Sequence, residues 1–238
     1  MKLAIITGGS RGLGASLVAL LKEDGYAVKE ISRTGRTADS ITVDLAQPDQ
    51  VVKKLSPQFQ ELAGLAWQEV LFINNAGLIF PVGIVSDKEV DEVMTNINVN
   101  YTSAILVMRE FISAFQAMAC PKTIVNISSG AAISNLYGWS LYCGAKAGIE
   151  HFVRGVAVEQ KEQANPITTL NIGPGIIDTD MQADVRSASA EDFPGVDRFK
   201  AFKEDGDLRP PAVVAQAIKN ILDSNQESGS RHNIQDFL

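Results

Sequence analysis

The sequence is poor in the residues that build stapled or metal-centred proteins: its 238 residues include only two cysteines, Cys120 and Cys143, and two histidines, His151 and His232. Two cysteines cannot frame a disulfide scaffold, and they suit free thiols in a reducing, cytoplasmic setting. The two histidines are far apart and lack metal-ligand spacing, so no metal is expected. Positive charge is also scarce. With 21 Lys and Arg against 28 Asp and Glu, the net charge is −7, without the basic excess that neutralising phosphates requires, which excludes nucleic acid as an expected partner. Long apolar runs are missing too: Leu3 to Ile6 stops at Thr7-Gly8-Gly9, and Val70 to Ile73 and Ala76 to Val85 are broken by Asn, Gly and Pro. All fall short of the roughly 20 residues a bilayer needs. Neither a secretion signal nor a membrane partner is expected. What is present, 45% apolar and 21% charged residues, is the make-up of a globular chain that buries its own core.

The pattern along the chain alternates short apolar runs with helical periodicity. Leu3 to Ile6, Ala27 to Ile31, Ile41 to Val43, Val70 to Ile73, Thr123 to Ile127 and Ile167 to Ile172 read as strands. Helices are expected from Leu13 to Gly25, Gln47 to Leu62, Asp87 to Met118 (one or two long ones), Ser140 to Gln160 and Pro211 to Ser224. Strands separated by helices of this length imply an α/β fold: one Rossmann-type, doubly wound parallel sheet with helices on both faces. No linker divides residues 1–238, so one domain is expected. Residues 178–209 show no clear periodicity, and structureless stretches of that length are usually lids or binding loops.

Thr7-Gly8-Gly9-Ser10-Arg11-Gly12-Leu13-Gly14 lies between the first strand and the first helix, where this architecture binds a dinucleotide pyrophosphate on a helix N-terminus. Gly8 permits the sharp turn, Gly12 lets backbone approach phosphate, and Gly14 allows close packing. The second strand ends in Ser32-Arg33 where an NAD site would carry an acid. A guanidinium binds a 2′-phosphate that a carboxylate would repel, so NADPH/NADP+ is favoured, with Arg11 a second contact. The plainer reading makes Arg33 and Arg36 a solvated turn.

Tyr142 and Lys146 share one face of a helix, four residues apart. Y-x-x-x-K alone arises by chance in roughly one chain in five, but Ser129, just past a strand, sits at the carboxyl end of the sheet where ligands bind. Ketone reduction needs a proton donor at the oxygen that becomes alkoxide. Tyr142 supplies that proton, an ammonium at Lys146 lowers its pKa, and the Ser129 hydroxyl is a second donor. Cys143 has no visible acid-base partner and reads as a small buried residue. Trp139, three residues before Tyr142, is either a wall of the substrate pocket or core packing.

Together T-G-x-x-x-G-x-G at Thr7 to Gly14, N-N-A-G at Asn74 to Gly77, Ser129 with Tyr142-x-x-x-Lys146, and Pro174-Gly175 followed by Thr179 resemble the short-chain dehydrogenase/reductase family over essentially the full chain. The resemblance implies that Asn100, Ser129, Tyr142 and Lys146 are catalytic, with Ser103 three residues later favouring Asn100 over Asn96 and Asn98. It carries cofactor binding onto Gly8, Ser10, Arg11, Gly12, Leu13, Gly14, Ser32, Arg33, Asp44, Leu45, Asn75, Ala76, Gly77, Tyr142, Lys146, Pro174, Gly175, Ile177 and Thr179. It also implies a homodimer or homotetramer paired through helices near Val99 to Met118 and Leu141 to Gln160.

Within the family, Ser128 to Ala132, Gly138 to Cys143, Pro174 to Gln182 and the ending Ile234 to Leu238 are similar to a branch of benzil reductases, itself similar to sepiapterin reductases. That implies a small-molecule carbonyl substrate, a ketone or vicinal diketone. Asn233 stands where the pterin enzymes carry an acid, which weighs against pterin. Met181, Trp139 and the apolar residues of the expected lid, Val185, Phe193, Phe199 and Phe202, suit an apolar or aromatic carbonyl. A 3-oxoacyl thioester reductase shares the fold and tetrad, whereas a non-catalytic NADP(H) sensor would need only the glycine loop.

Overall fold

A computed structural model of the chain describes residues 1–35 and 37–238; Arg36, weighed above as part of a solvated turn, lies outside the described residues. Seven strands form one sheet: β1 (Lys2–Thr7), β2 (Tyr26–Ser32), β3 (Ser40–Thr42), β4 (Glu69–Asn74), β5 (Lys122–Ile127), β6 (Thr168–Gly173) and β7 (Arg231–Asn233). Their order is β3-β2-β1-β4-β5-β6-β7, and every pairing is parallel. The central strands are continuous apolar runs because both faces are covered: Leu3, Ala4, Ile5 and Ile6 are all fully buried.

On one face lie α2 (Pro48–Ala63), α4 (Ser103–Phe115) and α5 (Ser140–Gln160). Their core centres on Phe59, Phe72, Phe111 and Phe115, with the Phe72 and Phe111 rings stacked at 5.4 Å and Phe111 to Phe115 at 4.9 Å. The other face holds α1 (Gly12–Glu23) and α8 (Pro211–Asp223), which bury Leu13, Leu17, Leu21, Val214, Ile218 and Ile221 against alternate strand residues. The strand period of two therefore sorts each strand between two cores.

Three stretches differ from the sequence reading. The expected 87–118 helix breaks into α3 (Val90–Ile97), a π-helical turn over Asn98–Thr102, and α4. The 178–209 segment is not structureless: it carries α6 (Asp180–Arg186) and α7 (Val196–Glu204), each too short and too charged to show helical periodicity. β7, three residues at the sheet edge, has no apolar run to announce it.

Candidate active site

The glycine loop closes onto the end of β4. Gly8 and Gly12 take left-handed φ values of +69° and +54°, a conformation glycine adopts without steric cost. A Cβ on Gly14 would fall 2.1 Å from the Gly8 carbonyl oxygen, and one on Gly12 would meet Thr179 at 3.2 Å. The cradle therefore depends on missing side chains, and its open wall faces the Thr179 segment. Thr7 Oγ1 accepts from the Asn75 and Ala76 amides at 3.0 and 3.1 Å, while Asn75 Nδ2 donates to the Thr7 and Gly8 carbonyls at 3.0 and 3.1 Å. Arg11 is engaged at this groove with Asp180, Nη1 to Oδ2 at 3.0 Å, both exposed. Ser10 and Leu13 complete the loop, Leu13 buried under it.

A row of polar side chains crosses the sheet beneath this site at one register level. Thr7 Oγ1 donates to Asn74 Oδ1 (3.4 Å), Asn74 Nδ2 to Asn126 Oδ1 (3.0 Å), Asn126 Nδ2 to Asn171 Oδ1 (2.8 Å), and Asn171 Nδ2 to the Glu150 carbonyl on α5 (3.2 Å). All four side chains are fully or almost fully buried. Each buried amide has a partner, so the row joins the glycine loop to α5 without an unsatisfied group. Sequence reasoning singled out only Asn74 of its asparagines, as part of N-N-A-G.

The four expected catalytic side chains converge at the carboxyl end of β4 and β5. A Cβ placed on Gly77 would meet Asn100 Oδ1 at 3.5 Å, Met181 Cε at 3.7 Å and Lys146 Nζ at 3.8 Å, so the glycine leaves a gap that these three groups face. Tyr142 and Lys146 lie one turn apart on α5, with Lys146 Nζ 5.8 Å from the Tyr142 ring centroid and donating to the Ile127 carbonyl at 3.0 Å. Ser129, just past β5, neighbours Tyr142 and favours its ionised form, and its Oγ accepts from the Ala131 amide at 3.1 Å. The π-turn aims Asn100 inward: its Oδ1 accepts from the Leu78 amide at 2.9 Å and its Nδ2 donates to the Leu78 carbonyl at 2.7 Å. Of its rivals, Asn96 braces it, with Oδ1 accepting from Asn100 Nδ2 at 3.0 Å and Nδ2 donating to the Phe80 carbonyl at 2.7 Å, and Asn98 faces elsewhere, its Nδ2 donating to the Ala46 carbonyl at 3.2 Å.

Burial sets the charge states. The Tyr142 phenol is pushed up to about 12 by desolvation, against a lowering by the neighbouring Ser129 hydroxyl and with a further rise from Cys143. The expected lowering by Lys146 is therefore not met: burial dominates, and the phenol is protonated at neutral pH. Lys146 is pulled down to about 8 by burial, while the Glu150 carboxylate pushes it back up.

At the adenosine end, Ser32 is buried and Arg33 exposed. Asp44 Oδ1 accepts from the Ala46 amide at 3.0 Å, and Ser103 Oγ donates to the Leu45 carbonyl at 2.7 Å. Thus Asn98 and Ser103 brace residues 45–46. Pro174 is buried, and Gly175 turns with φ +69°. Ile177 forms a parallel bridge with Arg209, which draws together the two ends of the 178–209 segment.

That segment packs on the site through aromatic rings. Trp139 stacks on Phe193 at 5.0 Å, tilts against Phe199 at 5.3 Å, and meets Tyr142 edge-on at 5.8 Å. Trp139 is thus packed among aromatic rings beside Tyr142, and its buried indole N–H has no hydrogen-bond partner among the described residues. Asp192 is salt-bridged to Lys88 at 3.0 Å and packs so closely on Gly138 that a Cβ there would lie 2.2 Å from its carbonyl oxygen. Cys143 is buried, with Sγ 3.5 Å from the Ser134 carbonyl. Among the described residues there is no cluster of metal-ligating side chains.

The short chain dehydrogenase family pattern matches residues 2–190. Benzil reductase ((S)-benzoin forming) of Bacillus subtilis (strain 168) is 34% identical over 243 residues, covering 100% of both chains. A short chain dehydrogenase/reductase from Saccharomyces cerevisiae shares the fold with a TM-score of 0.83 at 22% identity, over 100% of both chains. The structure of ElxO with NADP bound gives a TM-score of 0.77 at 22% identity, over 98% of this chain and 96% of that one. With the family pattern spanning most of its length and a full-length relative above 30% identity, the chain belongs to the short-chain dehydrogenase family.

Proposed function

We propose that this chain is an NADPH-dependent carbonyl reductase that reduces a ketone, with one carbonyl of a benzil-like vicinal diketone as its preferred target. The observation that carries the reading is the convergence of Asn100, Lys146 and Met181 on the gap at Gly77, beside Ser129 and Tyr142 and next to the glycine cradle. The cradle suits a dinucleotide: its walls exclude a Cβ at Gly14, and it lies at the first turn of a twelve-residue helix whose leading amides would bind a phosphate there. Arg33 beside Ser32 suits the 2′-phosphate of NADPH, and the Asp44-Leu45 turn would border the adenine. Gly175, Ile177 and Thr179 would flank the nicotinamide end.

When bound, the dinucleotide supplies the hydride. Tyr142, protonated because it is buried, delivers the proton to the carbonyl oxygen, and Ser129 gives that oxygen a second donor as it gains charge. Lys146, as the ammonium, stabilises the phenolate left on Tyr142 and holds the ribose. Asn100, fixed at both ends of its amide, orders a water for proton resupply. Residues 178–209 act as the substrate lid, and Trp139 with Phe193 and Phe199 stacks on an aryl group.

The diketone preference follows from the full-length similarity to a benzil reductase and from chemistry. A carbonyl beside another is electron-poor and accepts hydride readily, and once reduced it no longer activates its neighbour. Pterin is disfavoured, since Asn233 Oδ1 already accepts from Arg231 Nη1 at 2.8 Å. Free thiols and the lack, among the described residues, of a helix long and apolar enough to cross a membrane suit a cytoplasmic enzyme. Pairing through α4 and α5 would make it a homo-oligomer, measurable by light scattering.

The test is NADPH consumption with benzil, sepiapterin and an acetoacetyl thioester, with chiral analysis of any benzoin. The expected result is the highest kcat/KM with a diketone and a single benzoin enantiomer. A higher value for sepiapterin or the thioester would replace the diketone, and cofactor binding without turnover on any carbonyl would make the chain a sensor.

A further inference from the structure

We propose that Glu150 and Arg231 form a buried positioning pair that holds Lys146 in its charged state and ties the C-terminal strand to the Ser128-Ser129 turn; this rests on the reductase reading above. Glu150 follows Lys146 by four residues and Tyr142 by eight, so all three lie along one face of α5. Its side chain is 3% exposed, and Oε1 lies 2.7 Å from Nε of Arg231, itself 19% exposed. Those two atoms are close but not aligned for a hydrogen bond, so the contact is chiefly one of charge. The other oxygen, Oε2, accepts from Ser128 Oγ at 3.2 Å. Arg231 reaches the Ser129 carbonyl with Nη2 at 3.5 Å and stands on β7 directly opposite Asn171. It therefore continues the polar row that runs from Thr7, while Asn171 holds the Glu150 carbonyl.

A carboxylate buried this deeply needs a reason, because desolvating it costs more than most pairs return. The reason lies one turn away. Burial alone drives Lys146 toward the neutral amine, and Glu150 is the charge that opposes this. The groups that bear on Lys146 are Tyr142 and Glu150 from its own helix, the Ile127 carbonyl from β5 and the uncharged Asn100 from the π-turn, with Arg231 acting through Glu150. Arg231 in turn sets its guanidinium against the Glu150 carboxylate and anchors the turn that presents Ser129. Neither residue touches the gap at Gly77; both act through others.

The sign is testable. Lys146 is protonated below about pH 8, and losing the Glu150 charge lowers that value. In E150Q the alkaline limb of kcat/KM should move down by about one pH unit, giving a loss of about fivefold at pH 8 that approaches about tenfold above pH 9 and nearly vanishes near pH 6. In R231Q the Glu150 carboxylate is still present beside Lys146, so the alkaline limb should not move down, while the loss appears as a higher KM for the ketone. E150D should restore the E150Q limb. Should E150Q fail to fold for want of a partner to Arg231, the double variant E150Q/R231M removes both charges and should show the same downward shift. The pH dependence of NADPH binding, followed by fluorescence, reads the same limb without turnover. A chain that binds NADPH but reduces no carbonyl would thus sink the proposed function and leave this test intact. An unmoved limb in both E150Q and the double variant, a loss equal at every pH, or the same downward shift in R231Q would overturn the proposal.

Discussion

The two walls of the site are built from different materials. The inner wall, formed by the glycine loop, the β4 and β5 ends and α5, rests on backbone and short polar groups: Thr7, Asn100 and Asn126 each both donate and accept through their side chains, and Asn75 Nδ2 donates twice. The outer wall, residues 178–209, rests on a stack of Trp139, Phe193 and Phe199 and on exposed ion pairs such as Lys203 to Asp178 at 2.7 Å. Directional bonds fix atoms to tenths of an ångström, as proton transfer requires, whereas aromatic stacking tolerates slippage. On the proposed function, the inner wall serves chemistry and cofactor, and the outer wall substrate choice.

Breaking the inner wall at its centre should have the largest effect. Tyr142→Phe deletes the proton donor with little change in volume, so kcat should fall by about 100- to 10,000-fold while NADPH affinity, measured by fluorescence, stays within about threefold. Retention of activity within tenfold would reassign the acid.

Breaking the outer wall should separate stability from chemistry. Phe193 is buried between Trp139 and Phe199, and Phe193→Ala should cost about 3 to 5 kcal/mol of unfolding free energy. The remaining folded enzyme should show a raised KM for benzil, by roughly 2- to 12-fold for one lost aromatic contact, with kcat less affected. Denaturant titration and steady-state kinetics read the two separately; a kcat loss comparable to that of Tyr142→Phe would abolish the division between the walls.

The sequence disclosed these walls unequally, for physical reasons. Strands covered on both faces are compact apolar runs, and Ser140 to Gln160 was bounded correctly because its periodicity persists over 21 residues. Motif spacing located Tyr142, Lys146 and Ser129, since four residues on a helix and a strand end leave little geometric freedom. It did not reveal Asn126, Asn171 or the Glu150 and Arg231 pair, whose partnership depends on strand register between distant segments. The π-turn at Asn98–Thr102 and the short helices α6 and α7 were invisible for want of length. The expected lowering of the Tyr142 pKa was wrong because spacing reports a neighbour's charge but not the burial that competes with it.

Smaller effects sharpen the comparison at the cofactor's edge. Arg33→Asp should remove one phosphate contact, worth about 1 to 3 kcal/mol or roughly 5- to 150-fold in NADPH affinity, and raise the relative use of NADH. An unchanged NADPH-to-NADH ratio of kcat/KM would move the 2′-phosphate site elsewhere. Asp180→Asn should have the smallest effect, because its ion pair with Arg11 is well exposed on both sides and such pairs contribute at most about 1 kcal/mol. Its thermal midpoint should stay within a few degrees of the parent chain, and a larger drop would mean that the groove between loop and lid is structural.

The central claim is that hydride reaches one carbonyl carbon while this chain's own acid protonates the oxygen. It is tested most directly by reacting benzil with NADPH deuterated on the transferred position of the nicotinamide, and following product mass and chirality. The account predicts one equivalent of NADPH oxidised per benzoin formed, a single deuterium at the carbinol carbon, one enantiomer, and no onward reduction to the diol. Benzoin without deuterium, a racemic product, or no turnover of any diketone by a chain that binds NADPH would contradict it.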